Sequence, residues 1–170
     1  MNRKKTMIAL LIVVSILMSV GIPAFAVNAQ YSTTKAFLNA MDEESYKYTY
    51  VGIDNDNDEK ITVKFNGDYM DTVNVNIYFN QDLDVVTMRV WDVIDFNEDD
   101  YEKVLLACND LHRQYKFVTF LVDTSDWSVT AKLDCPIRPG KNCGDICVDG
   151  MEYIVNITDL AYDSLSVYGK

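Results

Sequence analysis

Apolar side chains recur at every second residue through much of the first half of the chain. Ile61, Val63 and Phe65 alternate with Thr62 and Lys64, and Val73, Val75, Ile77 and Phe79 alternate with Thr72, Asn74, Asn76 and Tyr78. A period of two turns one set of side chains to a core and the other to water, as in antiparallel strands covered on one face. Two flanking segments extend the series. Tyr46–Ile53 alternates Tyr46, Tyr48 and Tyr50 with Thr49, Val51 and Ile53, and Val85–Val93 puts Val86, Met88 and Val90 on one side. Between them stand Asp54-Asn55-Asp56-Asn57-Asp58, Asn66-Gly67-Asp68 and Asn80-Gln81-Asp82, all residues that favour turns. Four strands in a meander are predicted.

Helical spacing brackets this region. Thr34 is placed to cap a helix running through Met41, with Phe37, Leu38 and Met41 on one face. After the fourth strand the period lengthens. Asn97 is a good N-cap, Glu98, Asp99 and Asp100 follow in a first turn, and Val104, Leu105, Cys108 and Leu111 form an apolar stripe. Phe117–Val122 and the run Trp127, Val129, Ala131, Leu133 then flank the loop Asp123–Asp126 as a second hairpin. Beyond the loop Pro136–Gly144, Ile146, Ile154, Ile157, Ala161 and Leu165 predict a last helix. The expected fold is α+β: an antiparallel sheet with helices packed on it, in the order helix, four strands, helix, two strands, helix.

The first 26 residues read as a separate element. Asn2-Arg3-Lys4-Lys5 is a positive cluster, Met7–Ile22 is almost unbroken apolar sequence, and Pro23-Ala24-Phe25-Ala26 ends in a small-x-small step. This is the three-part pattern of a secretory signal peptide cleaved after Ala26. An uncleaved N-terminal membrane anchor is the alternative, but sixteen residues at ~1.5 Å each fall short of a hydrocarbon core of ~30 Å. Residues 27–33 are then a flexible lead-in and 34–170 a single domain. The predicted location is outside the cytoplasm, secreted or in the cell envelope.

Charge narrows the partners. The whole chain of 170 residues carries a net −11, and removing three basic residues and no acidic one with the leader moves that to −14. Nucleic acid and anionic membrane surfaces both require a basic footprint, so neither is an expected partner. Twenty aromatic residues in Tyr, Phe and Trp argue against a disordered chain.

A succession of features resembles the YbjN family, whose fold is similar to that of type III secretion chaperones. A strand pair ending near Trp91 leads into an acidic-capped helix that finishes in Ala107-Cys108-Asn109-Asp110-Leu111-His112. The family favours an Asn-x-Leu-Asn turn there; Asn109 and Leu111 fit, and His112 stands in place of the second Asn. Tyr115-Lys116-Phe117 then opens a hairpin with an aspartate-rich turn, and Ala131-Lys132-Leu133-Asp134 runs into Cys135-Pro136-Ile137 before the last helix. The resemblance covers most of the chain after the leader and implies a binding or regulatory module without catalytic residues. The leader departs from the many members that act in the cytoplasm.

Residues that could carry chemistry each have an ordinary structural use. Asp54, Asp56 and Asp58 match the first three ligand positions of an EF-hand loop, but Glu59 stands where Gly is needed and Phe65 where a bidentate Glu should close the site. A solvated hairpin turn is the reading, with a weak extracellular Ca²⁺ site as its alternative. Glu98, Asp99, Asp100 and Glu102 favour the helix dipole, and His112, the one histidine, is expected to meet the last helical carbonyls. Neither a metal nor a cofactor is expected. Cys108 falls on a buried stripe, whereas Cys135, Cys143 and Cys147 cluster around one loop and are disulfide candidates in an oxidising compartment.

The function expected is therefore an exported, non-enzymatic module that binds an unidentified protein, with homodimerisation a further option. Tyr48, Tyr50, Tyr78 and Trp91 are the candidate contacts, because aromatics on a strand face are enriched at interfaces. The alternative is a secreted hydrolase or carbohydrate-active protein using the acidic clusters.

Overall fold

Six antiparallel strands form one sheet, in a computed structural model that describes residues 27–140 and 142–170. The leader predicted for residues 1–26 lies outside the described residues. In chain order the elements are α1 (Ser32–Glu43), β1 (Tyr48–Ile53), β2 (Glu59–Phe65), β3 (Val73–Phe79), β4 (Val85–Asp95), α2 (Tyr101–Gln114), β5 (Thr119–Asp123), β6 (Ser128–Pro136) and α3 (Cys143–Leu165). Short 3₁₀ turns at Glu98–Asp100 and Ser166–Tyr168 precede α2 and follow α3. The α+β class and the expected order of elements hold.

The meander β1-β2-β3-β4 continues into β6, leaving β5 as the far edge. Register turns the period of two into a core. Ile61 pairs with Ile77, Ile77 with Met88 and Met88 with Leu133, so one apolar row crosses four strands. These four side chains are buried on the face that α3 crosses. At ~1.5 Å per residue the 23 residues of α3 reach about 34 Å, enough to span the sheet.

Two glycines allow α3 to lie this close. A Cβ on Gly144 would sit 2.2 Å from the Ala36 carbonyl oxygen of α1, and one on Gly150 would stand 3.3 Å from the Met88 methyl. Either contact is tighter than real side chains tolerate without movement. Phe37 of α1 meets Phe79 of β3 with ring centres 5.4 Å apart, completing the packing of α1 on the sheet.

Several boundaries depart from the sequence expectation. Helix α1 begins at Ser32, and Thr34 is a buried residue of its first turn instead of its cap. The 27–33 segment is held as well: Ala29 is buried, and the Gln30 and Tyr31 N–H groups donate to the Glu59 carboxylate at 2.6 and 3.0 Å. Strand β1 starts at Tyr48, two residues late. Asn97 precedes a 3₁₀ turn and makes no side-chain cap, so α2 opens at Tyr101. Leu105 and Ile146, both expected in the core, are exposed; Val104, Cys108 and Leu111 complete the α2 stripe, and Ile154, Ile157, Ala161 and Leu165 that of α3. An apolar residue beside a helical stripe faces water when only about 100° of the helix is covered.

His112 takes a different role from the one expected. Its Nε2 accepts the Phe120 N–H at 2.7 Å, and its ring stacks on that of Phe120. An accepting Nε2 places the imidazole hydrogen on Nδ1. Helix α2 thus covers part of the open edge of β5, where an unpaired N–H would otherwise invite another strand.

Candidate functional site

The alternation that buries one face of the sheet leaves the other, among the described residues, without a helical layer over its centre. Lys60, Thr62 and Lys64 of β2 point there, with Asn74, Asn76 and Tyr78 of β3, Thr87, Arg89 and Trp91 of β4, and Lys132 and Asp134 of β6. Register gathers them: Lys60 lies opposite Tyr78, Tyr78 opposite Thr87, and Arg89 is flanked by Asn76 on one side and Lys132 on the other.

Two cation–aromatic pairs form the centre. The Lys60 ammonium lies 5.3 Å from the Tyr78 ring centre, and the Arg89 guanidinium carbon lies 4.8 Å from that of Trp91. The Trp91 Nε1–H donates to the Tyr78 hydroxyl at 3.4 Å, a long bond that ties the two rings. Trp91 retains 42% of its surface. Such contacts contribute ~0.5–1 kcal/mol each at exposed sites.

The electrostatics of this face run against those of the chain. Four cations (Lys60, Lys64, Arg89 and Lys132) share its centre with one carboxylate, Asp134, on a protein whose net charge is −11. Asp95 and Asp123, both opposite Ser128, lie on the same face at its end. Lys132 pairs with Asp134 at 2.7 Å, and Thr87 donates to the same carboxylate at 2.8 Å. Burial pushes the Asp134 carboxyl up, but the hydrogen bonds from Lys132 and Thr87 and the charges of Lys132 and Arg89 bring it below the usual carboxylate value. Among the described residues, Lys60 and Arg89 have no carboxylate within ion-pair distance, and the buried Arg89 Nε has no acceptor. Arg89 and Lys132 are also like charges directly opposite across a ladder, an arrangement that destabilises a sheet.

The four aromatic residues named from sequence fall on both faces. Tyr78 and Trp91 stand on the uncovered side. Tyr48 and Tyr50 face the helices, half-buried against the core, because the β1 register places Tyr48 beside Val63 and Tyr50 beside Ile61. Their hydroxyls are engaged: Tyr48 with Asp42, and Tyr50 with Glu59 at 2.5 Å. The neighbouring Tyr46 donates to Glu152 of α3. Burial first, then these carboxylates, push the phenols of Tyr46 and Tyr50 up to about 12.

The sequence reading passed over two buried carboxylates. Glu59 is fully buried and accepts the Tyr50 hydroxyl and the N–H groups of Gln30 and Tyr31. Burial alone would raise its carboxyl; these hydrogen bonds outweigh it and hold the group below its usual value. Its position was legible, since the inward series Phe65, Val63, Ile61 extends by two to Glu59. Asp159 of α3 accepts the N–H groups of Asp68, Tyr69 and Met70 at 2.8, 3.1 and 2.8 Å, and no periodicity marks it.

The acidic clusters serve turns and helix starts. Asp54 Oδ1 accepts the N–H groups of Asp56 and Asp58 at 2.9 and 3.0 Å, the chemistry of a hairpin turn, with Asn57 in the left-handed region. Burial and the charges of Asp54 and Asp56 push Asp58 upward. Glu98, Asp99 and Glu102 line a shallow concavity of about 370 Å³ with Tyr101, Lys103 and Trp127, and a second, of about 320 Å³, is bordered by Asp92 and Asp95. All five acids are exposed.

The cysteines divide as their spacing implied. Cys108 is buried on α2, and burial raises its thiol to about 11. Cys143 and Cys147 lie one turn apart at the start of α3, with Cys135 beside them at the end of β6. All four are free thiols. Burial, then the neighbouring Cys143 and Cys135, push Cys147 up, and burial does the same to Cys135 and Cys143.

A third surface feature has no counterpart in the sequence reading. Phe117 adopts φ +68°, rare for a bulky residue, is 81% exposed, and meets Tyr153 of α3 edge-on with ring centres 6.3 Å apart. Among the described residues no helix is long and apolar enough to cross a membrane. The chain matches no protein-family model and no curated protein.

Proposed function

We propose that this chain is an exported, non-enzymatic binding module of the YbjN type that engages a protein partner through the uncovered sheet face. One observation carries this reading: Tyr78, Trp91 and Arg89 sit together on that face, solvent-accessible and tied to one another. Trp, Tyr and Arg are the residues most enriched among those that dominate binding energy. The face is broad and lies outside both concavities, which suits a macromolecular surface better than a small substrate. The order helix, four strands, helix, two strands, helix is compatible with the resemblance to the secretion-chaperone-like fold.

Export rests on the leader pattern of residues 1–26. A cut after Ala26 would leave a two-residue overhang before the buried Ala29 and the Gln30 N–H held by Glu59. The function is tested by affinity capture from the source cell's envelope and medium, comparing the wild type with the variant Tyr78→Ala/Trp91→Ala. A partner retained by the wild type and lost by the variant supports the reading. Equal capture by both refers binding to another surface.

A further inference from the structure

Four features of the uncovered face share one chemical explanation. The chain has acid in excess, yet the central strands of this face present Lys60, Lys64, Arg89 and Lys132 to one carboxylate, Asp134. The other two acids that the register places on it, Asp95 and Asp123, stand at its end beside Ser128. Arg89 and Lys132 stand directly opposite each other, where a neutral or acidic residue would stabilise the ladder. Among the described residues, Lys60 and Arg89 take no ion pair although acidic side chains are abundant elsewhere on the surface. The flanking aromatic rings hold both cations by their faces without neutralising them, and Arg89 is partly offset at longer range by Asp134. A local excess of positive potential on an acidic protein attracts anionic groups and steers their approach.

We propose that this face is a docking surface for an acidic protein segment, whose carboxylates meet Lys60, Arg89 and Lys132 and whose apolar groups rest on Tyr78 and Trp91. This rests on the binding-module reading and specifies the partner's chemistry. A second copy docked about a two-fold axis through Arg89 is a poor occupant, because it would set the central cations of one copy against those of the other. The guanidinium of Arg89 supplies the planar fork that matches a carboxylate, and among the described residues no carboxylate lies within ion-pair distance of it. Asp134 acts on it at longer range and is itself paired with Lys132. Asp134 sets the register: it fixes Lys132 at 2.7 Å and leaves Arg89 as the free cation of the opposed pair.

The test uses the exported chain with Trp127→Phe, which leaves Trp91 as the single indole, and follows its fluorescence against poly-L-glutamate, polygalacturonate and anionic vesicles. The expected result is a saturable change with poly-L-glutamate at least tenfold tighter than with either other polyanion, weakening as salt rises. Arg89→Glu is expected to weaken it tenfold or more and Arg89→Lys only a few-fold. Lys60→Glu provides a second variant should Arg89→Glu fold poorly. No change with poly-L-glutamate, equal or tighter binding of polygalacturonate or vesicles, or binding unaltered by Arg89→Glu and Lys60→Glu overturns the proposal. A partner cross-linked at Tyr78 yet indifferent to these charge reversals would also overturn it, while leaving the binding-module reading intact.

Discussion

The carboxylate of Asp159, near the end of α3, accepts the backbone N–H of Met70 at 2.8 Å, 89 residues earlier in the chain. The same carboxylate takes the N–H groups of Asp68 and Tyr69, so the β2–β3 connection closes around one side chain from the helical layer. Gly67 makes room for it: a Cβ there would sit 2.1 Å from Asp159 Oδ1. Asp159→Ala leaves three donors without their acceptor and is expected to destabilise the fold by about 3 kcal/mol. Gly67→Ala should cost about 1–3 kcal/mol through the forced contact. Denaturant midpoints of both variants check this; unchanged midpoints would remove the anchoring role.

Glu59 makes stability depend on acid. Its carboxyl is held below the usual value, so its contribution is complete above the unfolded value of roughly 4.3 and is lost as pH falls through the lower folded value. Thermal melts between pH 5 and 3 should show a steeper loss in the wild type than in Glu59→Gln, with Glu59→Gln less stable at pH 7 by about 2 kcal/mol. Parallel pH profiles would contradict the assignment. At the alkaline end, Tyr46 and Tyr50 have raised pKa values, so their stabilising contribution is full below ~10 and disappears as pH rises through about 12. An absorbance titration should find these two phenols ionising late.

Arg89→Thr separates stability from function. It removes a cation opposite Lys132 and a buried Nε without an acceptor, and it installs a residue suited to a strand. The variant also loses the Trp91 contact, so the effects offset, and its stability is expected to stay within about 0.5 kcal/mol of the wild type while its affinity for acidic ligands falls. A larger loss of stability would mean that Arg89 is retained for the fold.

Cys135, Cys143 and Cys147 occupy one neighbourhood where β6 ends and α3 begins, whereas Cys108 stands apart on α2. In an oxidising compartment, one bridge within the trio is expected, leaving two free thiols, one of them Cys108. A Cys135–Cys143 link would contribute about 2–3 kcal/mol on the loop-entropy account. Thiol counting in denaturant before and after reduction checks this; four thiols without reductant would exclude the bridge.

Much of the fold was legible because period two and period 3.6 are strong local signals. The strands of Val73–Phe79 and Ile61–Phe65 needed nothing else. The pairing of β4 with β6 was not legible, since no local pattern states which strands meet, and with it went the juxtaposition of Arg89 and Lys132. The face of β1 was misjudged for a related reason: six residues carry apolar or aromatic groups on both sides, and only the register with β2 turns Tyr48 and Tyr50 inward while leaving Val51 58% exposed. Asp159 escaped because an isolated acid reads as surface until its backbone donors are brought to it from elsewhere in the chain, whereas the inward place of Glu59 follows from extending the Ile61–Phe65 series back by two.

The central claim, that partner recognition uses the uncovered sheet face, is tested most directly by photo-crosslinking with p-benzoylphenylalanine placed singly at positions 78, 91, 117 and 153 in the full chain expressed in its source cell. The account predicts one partner adduct from 78 and 91, reduced by Arg89→Glu, and none from Phe117 or Tyr153. Adducts confined to positions 117 and 153 would contradict it and move the site to the helical side.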